Sequence, residues 1–307
     1  MSKISLLLQV LVMFSLQNTS ADLWVKPELG LGYSDNVYQD DFNKKSDSFT
    51  WLATTAKYEL DSGSSLTGKI NLRLYSKEVA SNSVSYSAKH QSEMDYENLD
   101  LTLGLGGFNY FKSDIGSTDE AFTNFYLTAY VTKNYKVNQN FEVSFEPGIK
   151  GASYPQLSNR YDLITFFRVN STWNAFTDIE INPYFELGLQ FSNQGYYSKT
   201  YTDLGVEFIE KLSDQYKYNV DLYLRNNSYP NRRVSEILNV PNRSGRMTSK
   251  SVDSNEAISL TQLSAAFTRT DLNRELSIGI SHANESSLSQ LEHYTENQVM
   301  VSALWAF

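Results

Sequence analysis

The sequence between residues 178 and 191 alternates strictly between two kinds of side chain. The odd-numbered positions, Ile179–Phe191, are all apolar, whereas the even-numbered positions hold charged, polar, tyrosine or glycine residues. A side-chain period of two indicates a β-strand with one apolar face and one polar face. The same pattern recurs over residues 141–150 and 216–225, so we predict an all-β chain.

The length of these segments narrows the class of β-protein. Residues 178–191 alternate over 14 positions, whereas strands of soluble proteins average about 5 to 6 residues. A tilted strand that crosses a bilayer needs about 9 to 11 residues. A soluble β-sandwich would also alternate, but with shorter strands and more frequent turns. The length therefore predicts an antiparallel, up-and-down transmembrane β-barrel. The sequence has no apolar run of about 18 residues, which a transmembrane helix would need.

The connections between the predicted strands fall into a long class and a short class. Seven long polar connections are predicted, at 34–48, 77–93, 114–121, 153–159, 193–198, 229–255 and 285–292. Six short turns are predicted, at 61–65, 104–107, 135–139, 175–177, 212–215 and 270–273. Together they separate fourteen strands, with both chain ends on the side of the short turns. The segment 108–113 is the weakest strand, and without it the alternative count is twelve.

Residues 1–21 read as a secretory signal peptide. Lys3 precedes an apolar stretch, Ile4–Leu16, and small or polar residues follow up to Ala21. A positive start, a short apolar segment and small residues at a cleavage site have this order in signal peptides. We expect a mature chain that starts at Asp22 and a single barrel domain over residues 22–307, and we weigh against it a buried N-terminal helix of a soluble protein.

The last predicted strand places apolar or aromatic residues at every second position up to the final phenylalanine. These residues are Val299, Val301, Ala303, Trp305 and Phe307. With the predicted signal peptide, this pattern resembles the C-terminal assembly signal of Gram-negative outer-membrane β-barrels of the porin-like kind. The resemblance implies a location in the bacterial outer membrane, recognition by the barrel-assembly machinery, contact with outer-membrane lipid and a homo-oligomeric ring or trimer.

Alternation assigns each strand residue to the lipid face or to the lumen of such a barrel. Aromatic residues near predicted strand ends suit the interfacial girdles: Tyr33, Phe49, Tyr58, Trp173 and Trp305. The opposite face carries charged residues that we predict to line the lumen and to set selectivity: Lys57, Lys69, Arg73, Glu142, Glu146, Arg168, Glu180, Glu186, Asp203, Glu207, Asp221 and Arg225. Either the cations near 57–73 face the acids of 141–207 across an open pore, or neighbouring strands pair these charges into a structural network.

Three local irregularities are predicted within this pattern. Residues 256–268 alternate poorly, which predicts a β-bulge that switches the faces. Pro27, Pro147 and Pro183 each lack a ladder donor and should mark bulges or strand ends. The segment 229–255 is either an inward plug, because it is rich in arginine, or a solvated surface loop, which is the more common arrangement.

Composition excludes several function classes. The chain has no cysteine, which excludes thiolate metal sites and thiol nucleophiles. Its net charge of −9 argues against a nucleic-acid partner. His282 has the parity of the lipid face, but no nucleophile stands beside it, so we predict no enzymatic activity, no metal and no cofactor. The leading hypothesis is a passive diffusion channel for small polar solutes. The alternative is a non-conducting structural or interaction barrel, homo-oligomeric, that binds lipid or surface partners through its outer wall or loops.

Overall fold

The computed structural model describes residues 23–37, 44–60, 63–94, 99–111, 123–155, 157, 159–241, 247–288 and 293–306; of 235–241 and 247–253 it describes the backbone only. The predicted signal peptide and Phe307 lie outside the described residues. Fourteen strands follow one another along the chain: β1 (Leu23–Ser34), β2 (Asp47–Glu59), β3 (Ser65–Tyr75), β4 (Ser83–Met94), β5 (Leu99–Tyr110), β6 (Asn124–Asn138), β7 (Phe141–Tyr154), β8 (Arg160–Phe176), β9 (Ile179–Ser192), β10 (Lys199–Lys211), β11 (Tyr216–Pro241), β12 (Met247–Asp271), β13 (Arg274–Ser287) and β14 (Tyr294–Trp305).

Each strand pairs antiparallel with its sequence neighbours, and the first strand pairs with the last. In the closing pair, Gly30 of β1 lies opposite Ser302 of β14. The sheet is therefore a closed barrel without free edges. The predicted all-β, fourteen-stranded antiparallel barrel is confirmed, and the twelve-strand alternative is wrong.

The two ends of the barrel differ in their connections. At the short-turn end, the described connections span as little as two residues, as between Asn138 and Phe141. Strand β1 starts at this end and strand β14 finishes there. The long-loop end carries two single-turn 3₁₀ helices, Val79–Ser81 and Gly195–Tyr197. In the described part of the chain, no helix has both the length and the apolar character needed to cross a bilayer.

The predicted strand count is correct, although two predicted segments are wrong. The predicted long connection 77–93 is mostly strand β4, and the predicted turn 104–107 lies inside β5, of which the weak strand 108–113 is the end. Strand β4 escaped detection because serine, lysine and glutamine side chains dominate it. The glycines of β5 resemble a turn, but a Cβ at Gly106 would contact the Tyr126 side chain within 3 Å, so this glycine makes room for a tyrosine ring.

The prolines interrupt the sheet without bulging it. The β6–β7 ladder is unpaired between Tyr130 and Lys133, opposite Pro147, and resumes in the same register. The β8–β9 ladder has the same kind of gap opposite Pro183. A missing N–H removes a ladder hydrogen bond, but each strand continues past its proline in the same register. The predicted bulges or strand ends at these two prolines are therefore wrong.

The predicted bulge in 256–268 is also wrong. Strand β12 keeps one register with β13 from Ile258 to Asp271, and its even positions face inward while its odd positions face outward. The pattern appeared irregular because Ile258 is an apolar residue buried on the inner face. The register shift lies instead in β11, between Tyr229 and Arg233.

The described residues of the segment 229–255 form paired strands rather than a plug or an irregular loop. Strand β11 pairs with β10 as far as Ser228, and β12 pairs with β13 only from Ile258 onward. Beyond these points the two strands pair with each other up to Pro241 and Met247. They form a two-stranded extension of the wall at the long-loop end.

The outer face of the barrel is a belt of exposed apolar side chains. Twelve of them, 42–62% exposed and drawn from ten of the fourteen strands, are Leu29, Leu31, Ile70, Leu103, Leu127, Ile149, Leu163, Phe167, Leu187, Leu204, Ile278 and Val301. An apolar surface this extensive is unusual for a soluble protein and typical of a wall that faces hydrocarbon.

Four of the five predicted girdle residues share the parity of this belt, and one does not. Tyr33, Tyr58 and Trp173 are exposed on the outer face, and Trp305 pairs there with Arg274. Phe49 is wrong as a girdle residue, because it is only 3% exposed. It faces inward and packs against Tyr75 at 5.5 Å between ring centroids.

Candidate functional site

All twelve predicted lumen residues lie on the inner face of the barrel wall. Their cross-strand pairing gives each the parity opposite to the apolar belt: Lys57, Lys69 and Arg73 on β2 and β3; Glu142, Glu146 and Arg168 on β7 and β8; Glu180 and Glu186 on β9; Asp203 and Glu207 on β10; Asp221 and Arg225 on β11. The inner wall is thus the candidate functional site.

Five of these residues form one continuous row across five strands. Glu146 lies opposite Arg168, Arg168 opposite Glu186, Glu186 opposite Asp203 and Asp203 opposite Arg225. We call this set the charge row. It contains three carboxylates and two guanidinium groups, so it carries a net charge of −1 at neutral pH.

Arg168 is the centre of the charge row. Its Nε donates to Glu186 Oε2 at 2.7 Å, its Nη2 lies 2.6 Å from the same oxygen, and its Nη1 donates to Glu146 Oε2 at 3.0 Å. One guanidinium therefore bridges strands β7, β8 and β9. A planar fork with five donors is suited to such a bridge, whereas a lysine ammonium is not.

The other end of the charge row is a bidentate ion pair. Arg225 donates from Nε to Asp203 Oδ1 at 2.9 Å and from Nη2 to Asp203 Oδ2 at 2.6 Å. Tyr223 Oη donates to Asp203 Oδ2 at 3.1 Å, and Tyr201 Oη donates to Glu186 Oε1 at 2.7 Å. Each acidic member in the middle of the row thus has both a guanidinium and a phenol as donors.

Glycines on the inner face make room for the tyrosine rings of this network. A Cβ on Gly188 would overlap the ring of Tyr201, and a Cβ on Gly205 would overlap the ring of Tyr184. Each ring therefore lies flat across a glycine of the neighbouring strand. This arrangement holds the Tyr201 hydroxyl toward Glu186.

Nearer the short-turn end, three further acids are held by amide and hydroxyl donors. Asn182 Nδ2 donates to Glu180 Oε1 at 2.7 Å and to Glu207 Oε2 at 3.1 Å. Ser264 Oγ donates to Asp221 Oδ2 at 3.1 Å. These bonds neutralise no charge, so this part of the wall stays acidic.

The opposite arc of the inner wall, on β2 and β3, carries cations. Lys57 is paired with Glu59 at 2.8 Å. Lys69 and Arg73 have no carboxylate within 4.0 Å among the described residues, and Arg73 lies over the Phe49 ring at 4.7 Å. The structure therefore combines both predicted arrangements, with paired charges on β7–β11 and unpaired cations on β2 and β3.

The inner wall is accessible to solvent at this level. The side chains of Arg168 and Arg225 are 35% and 41% exposed although both lie in mid-strand and point into the barrel. A packed or plugged interior would have buried them. The interior next to the charge row is therefore an open space lined by polar groups.

A second inner cluster lies at the long-loop end and was missed by sequence reasoning. Arg160 is buried and pairs with Asp162 at 2.5 Å, and Arg160 Cζ stands 3.8 Å from the Tyr197 ring centroid. Arg232, from the bulge in β11, lies 3.9 Å over the Tyr229 ring. The paired tyrosines at 196–197 were a sequence signal for such a cluster, but their arginine partners are more than 30 positions away in the chain.

A buried carboxylate anchors the loop that follows β3. Asp47, at the first position of β2, accepts hydrogen bonds from Ser76 Oγ at 2.5 Å and from the backbone N–H groups of Lys77 and Glu78 at 2.7 and 2.9 Å. Burial acts to raise the pKa of Asp47, but these bonds and that of the Ser48 amide lower the pKa to about 2. The carboxylate stays ionised and fixes this loop at the long-loop end of the barrel.

The outer-face histidine considered as a catalytic candidate has a polar environment. His282 Nδ1 lies 2.8 Å from Asn297 Oδ1, and Asn297 Nδ2 donates to Asp35 Oδ2 at 2.7 Å. These three residues lie just beyond the apolar belt, toward the long-loop end. Across the described ranges, no group of three or more His, Asp or Glu side chains could hold a metal ion.

Comparisons with known proteins agree with the barrel. No protein-family model and no curated protein matches the chain. Among solved structures, CdiB from Acinetobacter baumannii is similar with a TM-score of 0.50 at 8% identity, over 92% of this chain and 60% of that chain. OmpT, an outer-membrane protein of Vibrio cholerae, has a TM-score of 0.49 at 9% identity, over 94% and 99% of the two chains. An anion-selective porin from Comamonas acidovorans has a TM-score of 0.47 at 11% identity, over 93% and 98%. At 8% identity, the similarity to CdiB concerns the fold and not a function.

Proposed function

We propose that this protein is a passive channel for small polar solutes in the bacterial outer membrane. The observation that carries the proposal is the solvent accessibility of the inner wall, since the side chains of Arg168 and Arg225 are partly exposed in mid-strand. Barrels of eight strands are filled by side chains, and those of about sixteen to eighteen leave an aqueous channel. Fourteen strands with a polar, accessible inner wall are consistent with an open lumen.

The outer wall supports the membrane location. The apolar belt would face hydrocarbon, and Tyr58 and Trp173 would lie at the headgroup level. In outer-membrane barrels the short turns face the periplasm and the long loops face outward. We therefore place the start of β1 and the end of β14 on the periplasmic side. The extension of β11 and β12 then lies outside the cell.

The lumen residues named above are proposed to set ion preference. The acids Glu180, Glu207 and Asp221 have no cationic group within 4.0 Å among the described residues. Lys69 and Arg73, on the opposite arc, have no carboxylate within the same distance in the described part of the chain. Opposed unpaired charges orient a polar solute as it passes.

Single-channel conductance in a planar bilayer tests this function. The refolded mature chain is expected to give steady conductance steps, and the native mass of the same preparation tests the proposed homo-oligomer. Absence of conductance from a correctly folded barrel would contradict the channel and favour the alternative, a non-conducting barrel that binds lipid or surface partners. The proposed route to the outer membrane, secretion with a cleaved signal peptide, is tested separately. N-terminal sequencing of the protein from outer membranes should give a mature chain that begins at Asp22.

A further inference from the structure

The inner wall contains one recess that the charge row does not explain. It has a volume of about 360 Å³ and lies on strands β3–β7, on the side of the lumen where the unpaired cations lie. Its polar lining includes Lys69, Asn71, Ser85, Asn124, Tyr126 and Lys150. We propose that this recess binds a small organic anion that also carries hydroxyl groups, such as a sugar acid. The inference rests on the proposed channel function, since it names the class of solute that the channel would favour.

The electrostatics of the recess favour an anion. Two lysines, Lys69 and Lys150, line the same recess, and no aspartate or glutamate is among its described lining residues. Neither lysine has a carboxylate within 4.0 Å in the described part of the chain. Two like charges directed at one cavity repel each other, and a bound carboxylate would relieve that repulsion and accept charge-assisted hydrogen bonds.

The hydrogen-bonding groups of the recess favour hydroxyl groups on the ligand. Asn71 Nδ2 donates to Ser85 Oγ at 3.1 Å, whereas Asn71 Oδ1 is buried and has no donor among the described residues. An anion without an O–H group, such as chloride or acetate, offers only acceptors and leaves this oxygen unsatisfied, whereas a ligand hydroxyl can donate to it.

An aromatic surface completes the recess. Lys150 Nζ lies 4.2 Å from the centroid of the Tyr126 ring, which holds the ammonium against the wall. Phe108 also lines the cavity. Apolar faces beside convergent polar groups are typical of a small-molecule site, and they suit the C–H groups of a polyhydroxylated carbon chain.

Calorimetric titration of the detergent-solubilised protein tests the proposal without requiring conductance. Gluconate, which carries one carboxylate and five hydroxyl groups, is expected to bind more tightly than acetate or glucose. The double variant Lys69→Gln/Lys150→Gln should weaken gluconate binding about ten-fold or more, because it removes two charge-assisted contacts. Asn71→Ala should reduce the preference for gluconate over acetate.

A matched control uses another lysine of the inner wall. Lys217→Gln removes one positive charge outside the recess, as each of the two substitutions in the double variant does within it, and its ion pair with Glu275 is long, at 3.7 Å. It should leave gluconate affinity unchanged. Equal weakening by Lys217→Gln would mean a diffuse charge effect and would overturn the recess as a site, and equal affinity for acetate and gluconate would overturn the hydroxyl requirement.

The same variants in planar bilayers separate the two proposals. Gluconate should block the current of the wild-type channel at concentrations that match its affinity, and the double variant should be blocked less. A conducting channel that binds no gluconate would overturn the recess and leave the channel intact. Gluconate binding without any conductance would overturn the channel and retain the site.

Discussion

Replacement of Arg168 by methionine tests the centre of the charge row. Methionine keeps much of the side-chain length but removes three contacts to two carboxylates, those of Glu146 and Glu186. Glu186 retains the hydroxyl of Tyr201 as a donor. The variant therefore leaves two acids, on the two strands that flank β8, without their shared cation.

The expected loss of stability follows from the exposure of these groups. Breaking a fully buried ion pair costs about 3 to 5 kcal/mol, whereas an exposed pair contributes about 0 to 1 kcal/mol. Arg168 is 35% exposed, and its partners Glu146 and Glu186 are 13% and 11% exposed. An intermediate value of about 2 kcal/mol is therefore expected for Arg168→Met, or about a thirty-fold change in the unfolding equilibrium constant.

Two measurements on vesicle-reconstituted protein give the result. Equilibrium urea unfolding followed by tryptophan fluorescence measures the free energy of unfolding, and the reversal potential across a salt gradient measures ion preference. Arg168→Met should lower the free energy of unfolding. It should also shift the ion preference toward cations, because the lumen gains net negative charge. Adding Glu146→Gln should recover part of both effects.

The same substitution at an exposed ion pair provides the control. Arg269 donates to Asp271 at 3.1 Å, and its side chain is 49% exposed, so Arg269→Met should change stability by no more than about 0.5 kcal/mol. If Arg168→Met is as stable as this control and conducts with unaltered selectivity, the charge row neither stabilises the barrel nor faces the permeating ions.

Three further predictions address other parts of the wall. Glu180→Lys together with Glu186→Lys should shift ion preference toward anions, and unchanged selectivity in a conducting channel would remove these acids from the pore lining. Gly188→Ala should destabilise the barrel by about 1 to 3 kcal/mol in urea unfolding, because its Cβ overlaps the Tyr201 ring. The loss of stability should be smaller in a Tyr201→Ala background. Equal losses in the two backgrounds would contradict the packing of the Tyr201 ring against Gly188. The Asp47 pKa, lowered from 3.8 to about 2, predicts that Asp47 stabilises the loop after β3 above pH 3.8 and that this stabilisation is lost as pH falls toward 2. The protection of the loop amides, measured as the exchange rate relative to that of an unstructured peptide at the same pH, should fall over this range in the wild type. An Asp47→Asn variant should show low protection already at neutral pH.

Much of the fold could be predicted from alternation alone. The 14-residue pattern over 178–191 identified a strand long enough to cross a membrane, and its parity assigned the inner and outer faces correctly. Parity works because a strand has only two faces and the cost of exposing charge to lipid selects between them.

Alternation failed where side-chain polarity no longer reported the environment. Strand β4 is polar, so it resembled a loop, and Gly106 in β5 resembled a turn although its lack of a side chain makes room for Tyr126. Phe49 and Ile258 are apolar residues on the inner wall, each 3% exposed, and no local pattern distinguishes such residues from those that face lipid.

The sequence by itself determined that the chain forms long antiparallel strands with one apolar and one charged face, and it identified which charges face the lumen. Only the tertiary structure decided which of those charges meet. Glu146, Arg168, Glu186, Asp203 and Arg225 span 80 positions of the chain, yet they form one row because the register of four successive strand pairs places them opposite one another. The same register left Lys69 on β3 and Lys150 on β7 without a carboxylate within 4.0 Å in the described part of the chain. Register is a property of paired strands and cannot be derived from the pattern within one strand. The sequence pattern therefore does not indicate which charges are paired and which stay available to a solute.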